Sequence, residues 1–244
     1  MINDKNLNKI LLSFPKARPK LSSSLSSIYQ DEYKRNRDGK SLASYLSQKL
    51  ESWMHYKVAN NVSLFGHRNL LTLEIGAGTL NHLPYEKGLG NYDVIEPMTF
   101  LYKESPLKKF VNNFYTDISE LPSKKKYDRI NSIAVLEHVE DLPKLIKDST
   151  RLLNDEGVFS CGVPAEGGFL WGVSWRLTTG LEFRLRTGQD YAKIMQHEHI
   201  NNVFEIEQLL NYFFEIVRVK TFGIGTHFSL YKYLECKYPR SMTK

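Results

Sequence analysis

The sequence predicts an α/β fold: a mostly parallel sheet with helices on both faces and an antiparallel strand at its C-terminal end. Three observations carry this. From Leu70 onward, short apolar and β-branched runs alternate with stretches of helical recurrence. The first run leads into two closely spaced glycines in LLTLEIGAGTLNHLPYE, Leu70 to Glu86. The chain then ends in two alternating runs, EIVRVKTFG and HFSLYKYLECK.

Residues 1–40 read as peripheral, and PKARPKLSSSLSS, rich in proline, serine and charge, is expected to be irregular. Ser41 to Phe65 carries Leu42, Tyr45, Leu46, Leu50, Trp53, Met54 and Val58 at the spacing of an amphipathic helix. LLTLEI is the first strand, and a helix is expected near Thr79 or Leu80, cut short by Pro84. NYDVIE (Asn91 to Glu96), FVNNFYTD (Phe110 to Asp117) and YDRINSIAVL (Tyr127 to Leu136) follow as strands. LPKLIKDSTRLL, Leu142 to Leu153, is helical, and the turn NDEG at 154–157 leads into the strand VFSCGVP. Residues 164–200 are too long for a routine connection; FEIEQLLNYF, Phe204 to Phe213, then resumes as a helix before the final pair. The division that results is an N-terminal extension and helical cap at 1–66 and a main domain at 67–244, with a lid inserted at 165–200.

Composition narrows the class. The 244 residues, 41% of them apolar, suit one large domain with a real core. Cys161 and Cys236 stand in no metal-like or redox spacing, so a reducing, cytoplasmic setting is expected. MINDKNLNKILLSFP is too polar for a secretory signal, and no apolar run approaches membrane-spanning length. The net charge of +6 comes from scattered patches, among them Lys34, Arg35 and Arg37, and Lys124 to Lys126. Without interleaved aromatics these read as solvated surface and give no firm nucleic-acid signal, while remaining compatible with an anionic substrate.

A strand followed by tightly spaced glycines lets a ligand approach the backbone. Glu96 ends the next strand, where an acid can receive both hydroxyls of a ribose, and Asp117 follows the third, where it can meet a base edge. The pyrophosphate pattern GxGxxG requires a glycine where Asn81 stands, and the P-loop lysine and hydroxyl are absent. A nucleoside with a small zwitterionic tail fits better than a dinucleotide.

LEIGAGT, DVIEP, YTDISELP, YDRINSIAVLEHVEDLPKLIKDSTRLLNDEGVF and the following GVP resemble, in order and spacing, class I S-adenosylmethionine-dependent methyltransferases of the small-molecule type. The resemblance runs from Leu70 to Pro164, with the terminal hairpin matching in outline. It implies a Rossmann-like seven-stranded sheet and S-adenosyl-L-methionine as cofactor. It places Glu74, Gly76, Ala77 and Gly78 around the methionine portion, Glu96 at the ribose and Asp117 with Ile118 at the adenine. Ala134, Val135 and Leu136 would line the other side; the usual third glycine of GxGxG is Leu80 here.

A sulfonium already makes its methyl group electrophilic, so the protein must mainly align an acceptor and exclude water. His138, just after the fourth strand, reads as a structural histidine, a substrate contact or a base. His199, in a segment EHIN that related enzymes share, is expected to face the cleft; these two are the catalytic candidates. Trp53, His55, Arg184, Tyr191 and His197 are the substrate-binding candidates. His197 and His199 raise a metal hypothesis, but further ligands cannot be paired from sequence and no metal is expected. Arg176, Arg184 and Arg186 could clamp an anion, and Phe169, Leu170, Trp171, Val173 and Trp175 could form a pocket wall or a membrane-touching lid. AVLEHVED stands where amino-methylating enzymes carry Asn/Asp-Pro-Pro-Tyr, which favours oxygen or carbon acceptors. The expected activity is methyl transfer to a small metabolite or glycan precursor at oxygen, the acceptor being a small molecule, an anionic sugar among the options. The alternatives are a lipid or quinone-like acceptor, or a non-catalytic cofactor-binding module.

Overall fold

The computed structural model describes residues 4–29, 42–66, 69–87 and 90–241; Lys34, Arg35, Arg37 and Ser41 lie outside the described residues. Seven strands form one sheet in the order β3-β2-β1-β4-β5-β7-β6. β1 (Leu71–Ile75), β2 (Asn91–Ile95), β3 (Asn113–Tyr115), β4 (Tyr127–Ile133) and β5 (Leu153–Pro164) run parallel. β6 (Phe214–Ile224) and β7 (Phe228–Pro239) form a hairpin, and β7 lies antiparallel to β5. The chain leaves β1 towards β2 and β3, then returns to place β4 on the other side. That reversal opens a crevice at the carboxyl ends of β1 and β4, where α/β sheets bind ligands.

Period-two alternation explains why β5 reads as a continuous apolar run. Phe159, Cys161 and Val163 enter the main core, which holds α4 (Leu142–Leu152) and α8 (Val203–Phe213). Ser160 and Gly162 point to the opposite face, where α3 (Leu42–Ala59) crosses. A Cβ on Gly162 would sit 2.7 Å from the Met54 Cβ, so the bare glycine is what lets α3 lie close. Met54 and Val58 then pack on Ile133, Tyr231 and Tyr233. On α8 the buried stripe is Val203, Ile206, Leu209, Leu210 and Phe213, and burying each such apolar side chain contributes roughly 1.5–3 kcal/mol. Asn202 and Glu205 form a capping box at its start.

Several expectations are corrected. No α-helix follows the glycine turn: Leu80 takes a left-handed φ of 66° and Pro84 enters a single 3₁₀ turn at Leu83–Tyr85. PKARPKLSSSLSS is not irregular throughout, because its last residues enter a helical segment at 23–29 (α2), and the stretch read as peripheral also holds α1 (Asp4–Leu12). Ile10 joins the main core, and Leu25 is buried with Phe183 and Ile194. The NDEG turn is absorbed into β5 as an irregularity, the register jumping from Tyr127–Leu153 to Arg129–Val158. The third strand shortens to three residues, and α3 passes at Asn60 into a 3₁₀ turn reaching Phe65. The insertion folds as α5 (Phe169–Trp175), a π turn at Arg176–Gly180, α6 (Leu181–Thr187) and α7 (Tyr191–Glu198).

Candidate functional site

The turn after β1 is fixed from two sides. Gly76, at φ 74°, donates its N–H to the Ile95 carbonyl at 2.8 Å, and a Cβ there would collide with the Val135 side chain. Gly78, at φ 52°, donates its N–H to Glu96 Oε2 at 2.7 Å, while the Met98 N–H donates to Glu96 Oε1 at 2.8 Å. Glu96 thus holds the turn from the end of β2, and each oxygen keeps a second lone pair. Glu74, at the end of β1, is buried and accepts the Tyr92 hydroxyl at 2.9 Å. Burial pushes its carboxyl up to about 7, against the opposing pull of His82 and the Tyr92 hydrogen bond.

Beneath this turn lies a polar floor. Arg129 donates from Nη1 and Nη2 to the two oxygens of Glu86, both at 2.8 Å, and His82 Nε2 lies 2.9 Å from Glu86 Oε1. His55 Nδ1 meets His82 Nδ1 at 3.1 Å, and burial followed by the His82 charge lowers the His55 pKa to about 3. His55 is therefore a neutral ring at physiological pH. The tight packing of these groups accounts for a short irregular segment surviving where a helix was expected.

A cavity of about 1080 Å³ opens across the crevice. One half is lined by Glu74, Gly76, Gly78, Thr79 and Ala134, the last at a left-handed φ of 53°. Of the other residues assigned to the cofactor, Ala77 and Leu136 are buried and Val135 packs against the core. Ile118 is buried in the turn after β3. Asp117 caps that turn, accepting the Ser119 N–H at 2.8 Å, and its hydrogen bonds to Ser119 hold its carboxyl below the usual range. Asp117 and Ile118 do not line the cavity, nor does Glu96, whose carboxylate is buried behind the glycine turn it holds.

The other half is built by contacts between distant segments. Ile200 and Asn201 donate their N–H groups to the Glu137 carbonyl at 2.9 and 3.0 Å. The Asn201 side-chain amide donates to the Leu136 and Val139 carbonyls at 2.8 and 2.7 Å. This clamp brings the His138 and His199 rings to 5.0 Å, edge to face, and both line the cavity. His138 Nδ1 donates to the Glu198 carbonyl at 2.7 Å, and His199 Nδ1 donates to Glu166 Oε2 at 3.0 Å. Burial opposes the His199 cation, but the Glu166 bond and the charges of Glu137, Glu166 and Glu198 outweigh it and raise the pKa. Trp171 also donates to Glu166 and lies parallel to the His199 ring at 6.3 Å.

Two substrate candidates reach the cavity: His55, and Tyr191, which packs on Trp175 and Phe183. Three do not. Trp53 packs on Phe222, Arg184 is exposed on α6, and His197 Nδ1 donates to the Pro19 carbonyl at 2.7 Å. Arg176 and Arg186 are not in the lining either; Arg176 lies over the Trp175 ring. Sequence reasoning noted Glu198 only as the acid between His197 and His199 and missed Glu137, which precedes His138, and Glu166, two residues past the end of β5. Trp171, Val173 and Trp175, named from sequence as a pocket wall, do line the cavity, whereas Tyr85 and Tyr231, which also line it, gave no local signal.

A methyltransferase-domain family matches residues 50–215, more than half of the chain. No curated protein matches in sequence. Among solved structures, the chain is similar to the plantazolicin methyltransferase BpumL in complex with SAH, at 16% identity and a TM-score of 0.62 over 96% of this chain and 98% of that one. It is also similar to the magnesium protoporphyrin IX methyltransferase of Synechocystis PCC 6803 with bound SAH, at 14% identity and a TM-score of 0.52 over 98% and 95%. A possible histamine N-methyltransferase from Thermotoga maritima aligns at 16% identity and a TM-score of 0.52 over 84% and 98%. The strand order, the glycine turn and the family match agree: the chain belongs to the methyltransferase-domain family and is a class I S-adenosylmethionine-dependent methyltransferase.

Proposed function

We propose that the enzyme methylates a hydroxyl oxygen on a small soluble acceptor such as a glycan precursor, in a reducing cytoplasmic setting. The observation that carries this is the pair His138 and His199, which share one end of the cavity with both Nδ1 atoms committed to oxygen acceptors. A neutral imidazole that donates from Nδ1 presents its lone pair at Nε2, so this end can receive a hydroxyl proton. The cofactor supplies an electrophilic methyl group on a sulfonium. Gly76 and Gly78 leave the backbone bare for its tail, and Glu74 provides a negative charge beside it, all three in the lining; Glu96, bonded to the Gly78 and Met98 N–H groups, retains acceptor capacity for ribose hydroxyls. Trp171, Trp175, Tyr85 and Tyr231 give flat apolar walls suited to a sugar or aromatic acceptor and keep water from the reacting atoms.

The decisive experiment presents labelled cofactor with soluble hydroxylated acceptors and identifies the product bond by mass spectrometry. A methyl ether supports the reading; a methylated amine or carbon as the sole product refutes it. A second reading, a membrane-borne acceptor, draws on Leu177, Leu181 and Leu185, exposed at every fourth position on the lid. Among the described residues no helix is long and apolar enough to cross a membrane, so such contact would be peripheral. Activity that requires liposomes would favour it.

A further inference from the structure

We propose that Glu137, His138 and His199 bind a divalent transition-metal ion of the zinc class, with open coordination positions turned to the acceptor. The proposal rests on the reading of this half of the cavity as the acceptor site. One ligand-type atom from each residue lies within 4.8 Å of the others, close enough for one ion after modest side-chain rotation.

Tautomer control supports the assignment. A carbonyl can only accept, so His138 Nδ1 must carry the proton it shares with the Glu198 carbonyl, leaving Nε2 as the ligating atom. His199 makes the corresponding bond to a carboxylate, Glu166, the arrangement that orients metal-bound imidazoles and raises their basicity. Trp171 fixes Glu166 in turn. The two rings are therefore held by partners outside the cluster.

Glu137 provides an independent sign. The residue is 1% exposed, and its Oε2 has no hydrogen-bond partner. A buried carboxylate oxygen without a donor is costly, and a cation beside it would remove the cost. Its backbone is meanwhile fixed by Ile200 and Asn201, so the carboxylate is presented from a rigid loop. Two imidazole nitrogens and one carboxylate oxygen form a donor set for zinc, cobalt or iron, whereas magnesium and calcium prefer oxygen alone. Three protein ligands leave positions open for the acceptor hydroxyl, whose acidity the ion would raise; with both Nε2 lone pairs on the ion, the hydroxyl proton would pass to solvent and the ion would take the place of a histidine base. The sequence raised His197 with His199 as a metal pair but left no metal expected; in the fold His138, not His197, stands beside His199, and His197 turns away to Pro19.

The test uses the full chain, stripped with a chelator and titrated with Co²⁺ by visible absorption and with Zn²⁺ by calorimetry. Saturable binding at a single site is expected, with d–d bands of a low-coordinate nitrogen and oxygen environment. His199→Ala, His138→Ala and Glu137→Gln should each weaken it by about tenfold or more, and His197→Ala should leave it unchanged. Adenosyl-homocysteine affinity, measured on the same samples, should persist in every variant, which separates failure of the metal site from failure of the cofactor reading and verifies folding. Absence of saturable Co²⁺ and Zn²⁺ binding overturns the proposal. So does binding that survives in both His199→Ala and His138→Ala.

Discussion

The two halves of the cavity are built in opposite ways. The cofactor half is assembled mainly from neighbouring pieces: β1, its glycine turn and the end of β2, with Glu96 closing the turn 18 residues from Gly78 and Ala134 added from the end of β4. The acceptor half depends on residues 60 or more apart, as Asn201 reaching back to Leu136 and Val139 shows. The first is a local device, closed by one acid on the turn of the preceding strand. The second is held by contacts between the loop after β4 and the segment that follows the insertion. Damage to one half should therefore leave the other measurably intact.

The largest effect is expected at Gly76→Val. A left-handed backbone and a side chain driven into Val135 should cost roughly 3 kcal/mol of stability, read as a fall in denaturant midpoint, with loss of adenosyl-homocysteine binding. An unchanged midpoint would show that the turn tolerates a Cβ. Next is His199→Ala, which should lower the methyl-transfer rate by about a hundredfold while cofactor affinity stays the same. A rate at the wild-type level would detach His199 from the chemistry.

Asn201→Ala probes the clamp between the halves. Losing two buried hydrogen bonds should cost about 1–3 kcal/mol and slow turnover more than it weakens cofactor binding; a neutral effect would mean the loops are held by other contacts. The smallest effect concerns Glu74, whose carboxyl burial pushes up to about 7. Below that pH it is protonated and neutral, so affinity for the cationic cofactor should rise several-fold as pH increases from about 6 to about 8. The slope should vanish in Glu74→Gln. For stability the sign is reversed: the raised pKa favours the fold at low pH, and that contribution is lost between the unfolded carboxylate pKa and about 7.

This asymmetry also accounts for what could be read from sequence. β1, β2, β4, α4 and α8 follow from their apolar periodicity, and Glu96 from its place at a strand end, because these signals are local. Leu80 and Pro84 warned of a shortened helix, but the buried Glu86–Arg129–His82 network that replaces it joins segments far apart. His138 and His199 were both recognisable, whereas their proximity was not, since it depends on the fold bringing LEHVED to EHIN. His197 and Arg184 looked equally suitable and face elsewhere because side-chain direction on short helices is set by tertiary packing.

The most direct measurement is calorimetry of adenosyl-homocysteine binding to the wild type, Glu96→Ala and His199→Ala under one condition. Removing the acid that holds the Gly78 and Met98 N–H groups should weaken binding roughly ten- to hundredfold, while His199→Ala binds as the wild type does. Wild-type affinity in Glu96→Ala, or an equal loss in both variants, would contradict the account of a local cofactor half joined to a separately built acceptor half.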